Sequence, residues 1–217
     1  MRRAAFLFVL CAASMPAALA AADCSIPAPC PIAPLIADIP AGDYRLDPGH
    51  ASIVFRLNRL GFSQYTARFS HFDALLHLDP MHPERAEVFT TIDPNSLVLT
   101  VAPPGFRDLL LGPQWMNTAK YKAITFQSTR VTMAAPDAAR IRGNFSLHGI
   151  TKPVVLDAVF KGGYRGTPSD PRPRVAFSVR TKFLRSAFGL GFGSPLIAGD
   201  QVEVRIEAEF TGPVPAK

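Results

Sequence analysis

Along most of this chain apolar and polar residues alternate one by one, in runs that stop at Gly, Pro, Asn or Asp. A period of two predicts β-strands. The last run is the clearest. Val202, Val204, Ile206, Ala208 and Phe210 share one face, and Gln201, Glu203, Arg205, Glu207 and Glu209 share the other. A helix would scatter those charges around its circumference, whereas a strand gathers them on one side. The same alternation places Ile53, Phe55 and Leu57 on one face, then Tyr65, Ala67 and Phe69, then Leu76 and Leu78. Val88, Thr90 and Ile92 follow, ended by Asp93-Pro94, then Ile124 and Phe126. Ile141, Gly143, Phe145 and Leu147 come next, then Val154, Leu156, Ala158 and Phe160, then Val175, Phe177 and Val179. About eight strands with one dry face each predict an antiparallel all-β domain, a barrel or a sandwich. Between Ile92 and Ala123 the pattern changes, and residues 106–111 and 115–119 are expected to be short helices around Gly112-Pro113.

The ends of the chain read differently. Arg2 and Arg3 precede an apolar run from Ala4 to Ala13, and Ala18-Leu19-Ala20 offers the small residues a signal peptidase reads, so residues 1–22 are expected to be a cleaved signal peptide. That predicts export to the periplasm. Residues 23–41 hold Pro27, Pro29, Pro31, Pro34 and Pro40 and read as an extended arm. The folded domain is expected over residues 42–213, with residues 214–217 as a tail. Export leaves two cysteines, Cys24 and Cys30, near enough in the oxidising compartment to form a small disulfide or to stay as thiols.

Charge narrows the function classes only a little. The formal net charge is +6, and loss of Arg2 and Arg3 leaves +4. This mild excess suits transient contact with an anionic membrane surface, or a merely solvated basic face. Lys/Arg blocks interleaved with aromatics are missing, so nucleic acid is not an expected partner. His71, His77 and His82 lie in one region, but their spacing along a strand and turn does not aim them at one point, and no metal site is predicted. His50 lies near Asp47 and Ser52 without a nucleophile-elbow pattern, and a turn held by Asp47 and Ser52 is the expected role. His148 is expected in a hairpin.

Alternation leaves open whether the barrel is packed solid or holds one small ligand, because eight-stranded barrels do both. Motifs decide the expectation. Tyr44-Arg45-Leu46-Asp47-Pro48-Gly49-His50-Ala51-Ser52, then Phe55 and Leu60-Gly61-Phe62-Ser63, open the domain. Asp93-Pro94-Asn95-Ser96, the Arg107-Asp108 pair and Lys120-Tyr121-Lys122-Ala123-Ile124-Thr125-Phe126 follow in order. Gly143-Asn144-Phe145-Ser146-Leu147-His148-Gly149-Ile150-Thr151-Lys152-Pro153, Arg185-Ser186-Ala187-Phe188-Gly189-Leu190 and Gly199-Asp200-Gln201-Val202 complete the set. Together they resemble the YceI-like family of exported, lipocalin-like polyisoprenoid-binding proteins, from about Asp43 to Phe210. Arg59 stands where the family usually has His, and Ala67 where it usually has Gly.

The resemblance implies an elongated barrel enclosing an isoprenoid chain, such as a polyprenyl phosphate or a quinone tail, with no catalysis and no cofactor. The expected cavity lining is Ile53, Phe55, Leu57, Phe69, Leu76, Leu78, Val88, Ile92, Ile124, Phe126, Phe145, Leu147 and Phe177 from the strands. Trp115 and Met116 join it from the helical insertion, either as a cap touching the lipid or as ordinary core. Arg68, Arg107, Lys120 and Arg185 are candidates for contacting an anionic headgroup, against a plain surface or ion-pair role. Two other readings stand beside this one: an envelope enzyme acting on an isoprenoid lipid, and a solid-core stress or partner-binding module. The oligomeric state is left open.

Overall fold

A computed structural model describes residue 36, residues 39–191 and residues 198–213. The signal-peptide and disulfide expectations therefore lie outside the described residues. Ten strands form one sheet: β1 (Gly42–Arg59), β2 (Ser63–Phe69), β3 (Phe72–Leu78), β4 (Glu87–Ile92), β5 (Leu97–Leu99), β6 (Ile124–Ala135), β7 (Ala138–Leu147), β8 (Ile150–Tyr164), β9 (Arg174–Leu184) and β10 (Ala198–Thr211). Eight of them close on themselves in the order β1-β3-β4-β6-β7-β8-β9-β10, with β10 returning to β1. Every pairing is antiparallel, as the alternation predicted.

On its edge away from β10, strand β1 serves two neighbours in turn. Gly42 to Arg45 pair with β3, whereas Ile53 to Arg59 pair with β2, which carries β5 on its far side. The change of partner coincides with a bulge, where the β1–β10 register slips between Leu46 and Ala51. Asp47 holds it: its carboxylate accepts from the Gly49 amide at 3.0 Å and lies 3.1 Å from His50 Nδ1. The expected turn is thus a bulge inside a long strand, and Ser52 pairs with Glu207 across the ladder.

The β7–β8 hairpin turns in two residues, His148 (φ 54°) and Gly149 (φ 75°). Both are left-handed, the geometry whose twist matches the flanking strands. A side chain at Gly149 would in addition strike the Tyr121 ring.

Three expectations change. Residues 115–119 form turns rather than a helix, because Gly112 and Asn117 end and redirect the chain; of the two expected helices, the first is present as α1 (Phe106–Leu111). Strand β5 was not foreseen, being three residues without a full alternation cycle. The packed domain also reaches back before Gly42. Ile39 is 2% exposed and joins the core at the closed end, and the Tyr44 hydroxyl donates to the Pro40 carbonyl at 2.6 Å. Burial pushes the Tyr44 phenol up to about 12.

Candidate functional site

The barrel is not uniform along its length. At the closed end Tyr44, Leu78, Phe160, Val175 and Phe210 pack into a core with Ile39. At the other end β2 and β5 are added beside β1, and the wider girth leaves space that side chains do not fill. The result is a chamber of about 610 Å³. A second, smaller space of about 130 Å³ lies toward the closed end.

Each expected lining residue faces one of these spaces. Ile53, Phe55, Leu57, Phe69, Ile92, Ile124, Phe126, Phe145 and Leu147 line the large chamber, as do Trp115 and Met116. Leu76, Leu78, Val88 and Phe177 line the small one. The strand pattern reached these positions because inward residues recur every second place. Several lining residues were missed. Leu97 and Leu99 sit on the three-residue β5, and Phe183 lies on β9 beyond Arg180, outside the alternating run that predicts this strand. Leu190 sits on a segment with no periodicity at all. Val204 and Ile206 were on a recognised dry face but were not singled out.

The headgroup candidates fare differently. Arg68 is exposed on the outer face of β2, between inward Ala67 and Phe69, so alternation itself turns it away from the chamber. Arg107 is also outside the lining. Its Nε donates to the Leu97 carbonyl at 3.0 Å and its NH2 to the Asn95 carbonyl, pinning α1 onto β5. Lys120 is exposed and lies 5.2 Å from the centre of the Tyr121 ring. Arg185 does line the chamber, at 4% exposure. It donates to the carbonyls of Ala198 (2.8 Å), Gly199 (3.1 Å) and Leu190, and lies 5.6 Å from the centre of the Trp115 ring. It clamps the start of β10 to the mouth.

Two ionisable lining groups were not expected. Arg59 reaches the mouth at the end of β1. Tyr65 packs edge-on against Phe106 at 6.3 Å, and its hydroxyl is buried without a hydrogen-bond partner. Alternation marked Tyr65 as inward, but only tertiary packing shows its hydroxyl enclosed. Among the described residues the chamber lining contains no His, Asp, Glu, Lys or Cys; its ionisable members are Tyr65, Arg59 and Arg185.

The ionisable groups cluster elsewhere. Arg174 bonds Asp47 at 2.7 Å and Glu209 at 2.6 Å, all three side chains being mostly buried. Glu209 first, then Asp47, hold the Arg174 guanidinium far above its ordinary range, and Arg174 holds the Asp47 carboxyl below its own. Asp47, His50 and Glu209 have ligand atoms within 4.8 Å of one another, but the Arg174 guanidinium already supplies the positive charge there. His77 and His82 pair separately with Asp43 and Asp79.

Comparison with known proteins gives a consistent picture. A family model described as the YceI-like domain matches residues 44–210. A UPF0312 protein of Vibrio cholerae is 33% identical over 153 residues, covering 69% of this chain and 78% of its own. Among solved structures, BcnA of Burkholderia cenocepacia superposes with a TM-score of 0.67 at 19% identity, covering 76% of this chain and 98% of that one. A polyisoprenoid binding domain from Saccharophagus degradans, implicated in plant cell wall breakdown, superposes with a TM-score of 0.58 at 13% identity, covering 80% and 100%. At such identities these two establish the fold, and the match over residues 44–210 establishes the family. An antiparallel barrel with an apolar chamber at one end, carrying those motifs in order, belongs to the YceI-like family.

Proposed function

We propose that this protein is a non-catalytic periplasmic carrier that encloses an isoprenoid chain, a polyprenyl phosphate or an isoprenoid quinone, tail inward in the large chamber. The observation that carries this reading is the chamber itself: about 610 Å³ walled mostly by aliphatic and aromatic side chains, with no His, Asp, Glu, Lys or Cys among the described lining. Each methylene moved from water into such a wall contributes about 0.8 kcal/mol before ordering costs are deducted. The tail supplies the affinity. Arg59 at the mouth and the Tyr65 hydroxyl inside are the polar groups placed to orient a head. General acid–base chemistry most often uses a His or a carboxylate within hydrogen-bond reach of the reacting atom, and the described lining holds neither, which weighs against the enzyme reading. The large cavity weighs against a solid-core module.

The rim of the mouth supports contact with a membrane surface during loading. Phe62 at the tip of the β1–β2 turn is 79% exposed, and Val101, which lines the chamber at its rim, is 85% exposed. Exposed Arg59 at the end of β1 and exposed Lys120 and Lys122 before β6 lie at this end, with Arg107 and the opposing Asp108 in α1. Apolar tips with basic neighbours suit an anionic lipid surface. Native mass spectrometry of protein purified from its own envelope tests the carrier reading. A co-purifying isoprenoid is expected; no bound lipid, together with no uptake of a fluorescent isoprenoid, would overturn it.

A further inference from the structure

The wall of the barrel changes character beside the small space. The β4–β6 ladder runs from Ile92 and Ile124 to Phe89 and Gln127, and one further bond follows, from the Val88 amide to Ser128 Oγ at 2.9 Å. Strand β4 starts at Glu87, but β6 continues to Ala135. Beyond Ser128, β6 therefore has β7 on one side and a short 3-10 turn, Pro83–Arg85, on the other. Among the described residues no backbone bond joins that turn to β6. The backbone bonds of residues 79–86 close within the segment: His82 to Asp79, Arg85 to His82 and Ala86 to Pro83. The facing hairpin is fixed, because the Phe160 amide donates to the Asp137 carbonyl at 2.7 Å. A seam held by side-chain packing alone parts at lower free energy than a hydrogen-bonded ladder.

The small space reaches the surface at this seam. Pro83, Ala86 and Met133 line it, together with Pro136 and Asp137, which are exposed at the tip of the β6–β7 hairpin. Apart from Thr90 and the exposed Asp137, its described lining is apolar. On the inner side it adjoins the large chamber: Ile53, Thr90, Leu156 and Ile206, on β1, β4, β8 and β10, line both. We infer that the seam is a second, lateral opening through which the tail of an enclosed isoprenoid leaves the barrel. The head stays at the wide mouth, the chain runs through the large chamber past Ile53 and Ile206, and the tail emerges between the turn Pro83–Arg85 and the hairpin. The exit is lateral because Ile39 and Tyr44 are buried in the core at the closed end. The inference rests on the carrier reading above and extends it: the barrel encloses a middle stretch of the chain and places no limit on its length.

The test uses undecaprenol carrying a diazirine at its tail end, photolysed in complex with the full wild-type protein and mapped by peptide mass spectrometry. Labelling within residues 131–139 or 83–86 is expected. Labelling confined to other interior residues, whether Phe145 in the large chamber or Phe160 in the small space, would overturn the inference and leave the carrier reading standing. Binding of farnesol without binding of undecaprenol would do the same. No complex with either prenol would remove the carrier reading, and the inference with it. A variant supplies the second measurement. Ala86→Trp sets a large side chain in the opening. Along β1 the large chamber runs from Ile53 to Arg59, about 20 Å at about 3.3 Å per residue, and farnesol is shorter than that. Undecaprenol affinity is therefore expected to fall at least about tenfold in the variant, as buried methylenes are lost, with farnesol affinity unchanged. No change with undecaprenol, or the same loss with farnesol, would overturn the inference.

Discussion

Gly143 offers a direct test of how the chamber wall is built. A Cβ placed there would lie 2.3 Å from Phe126 Cζ, 2.6 Å from Phe126 Cε2 and 2.5 Å from the Gln127 carbonyl oxygen. Its φ is not in the left-handed region, so the backbone itself accepts alanine, and loss of glycine's freedom in the unfolded chain would stabilise by about 0.4 to 1 kcal/mol. Against this, forcing a methyl into a filled space costs about 1 to 3 kcal/mol. The clash wins, because one of the three close atoms is backbone on the neighbouring strand and cannot rotate away. Gly143→Ala is expected to destabilise by about 1 to 2 kcal/mol, or roughly 2 to 8 °C in Tm for a domain of this size. The ring of Phe126 is expected to tip into the chamber and weaken prenol binding. A double-mutant cycle with Phe126→Ala separates the two contacts. With the ring gone, the cost of Gly143→Ala is expected to fall by at least about half, leaving the Gln127 carbonyl term. An unchanged cost in the Phe126→Ala background, or a Gly143→Ala protein as stable as wild type, would refute the reasoning.

Other expectations follow from the same geometry. Arg174→Met leaves Asp47 and Glu209 facing each other without their cation, and a loss of about 1 to 3 kcal/mol at neutral pH is expected by urea denaturation. Because the folded-state pKa of Asp47 is depressed, its contribution is fully present above the ordinary carboxylate value and fades as pH falls through the depressed one. Wild type is therefore expected to lose stability below about pH 4, and Arg174→Met to show a shallower acid limb. Tyr65→Phe removes a buried hydroxyl without a partner and is expected to leave Tm unchanged or raised, while narrowing the preference for a polar-headed isoprenoid over its headless hydrocarbon. Equal preference in both proteins would take Tyr65 out of head recognition. Phe62→Asp is expected to lower sedimentation with phosphatidylglycerol vesicles without changing prenol affinity in detergent; unchanged sedimentation would count against the rim contact.

Much of this protein is written in its alternation. The dry face of Val202 to Phe210, and its counterparts on the other long strands, follow from the period of two, and the family motifs span the same domain. Inwardness is a local property, which is why every expected lining residue faces one of the two spaces. What lies inside a closed sheet is not local. Whether Phe126 fills a space or walls one depends on the missing side chain of Gly143 across the ladder, and on β2 and β5 widening one end. The basic residues show the same divide. Arg68 is turned outward by its strand, while Arg107 and Arg185 are drawn to backbone carbonyls of segments with no sequence period. The chain by itself determined an antiparallel all-β domain and which side chains of its long strands face in. Only tertiary structure decided that the sheet closes, where the interior is hollow, and which charges stand at the mouth, because those depend on packing between strands far apart in sequence.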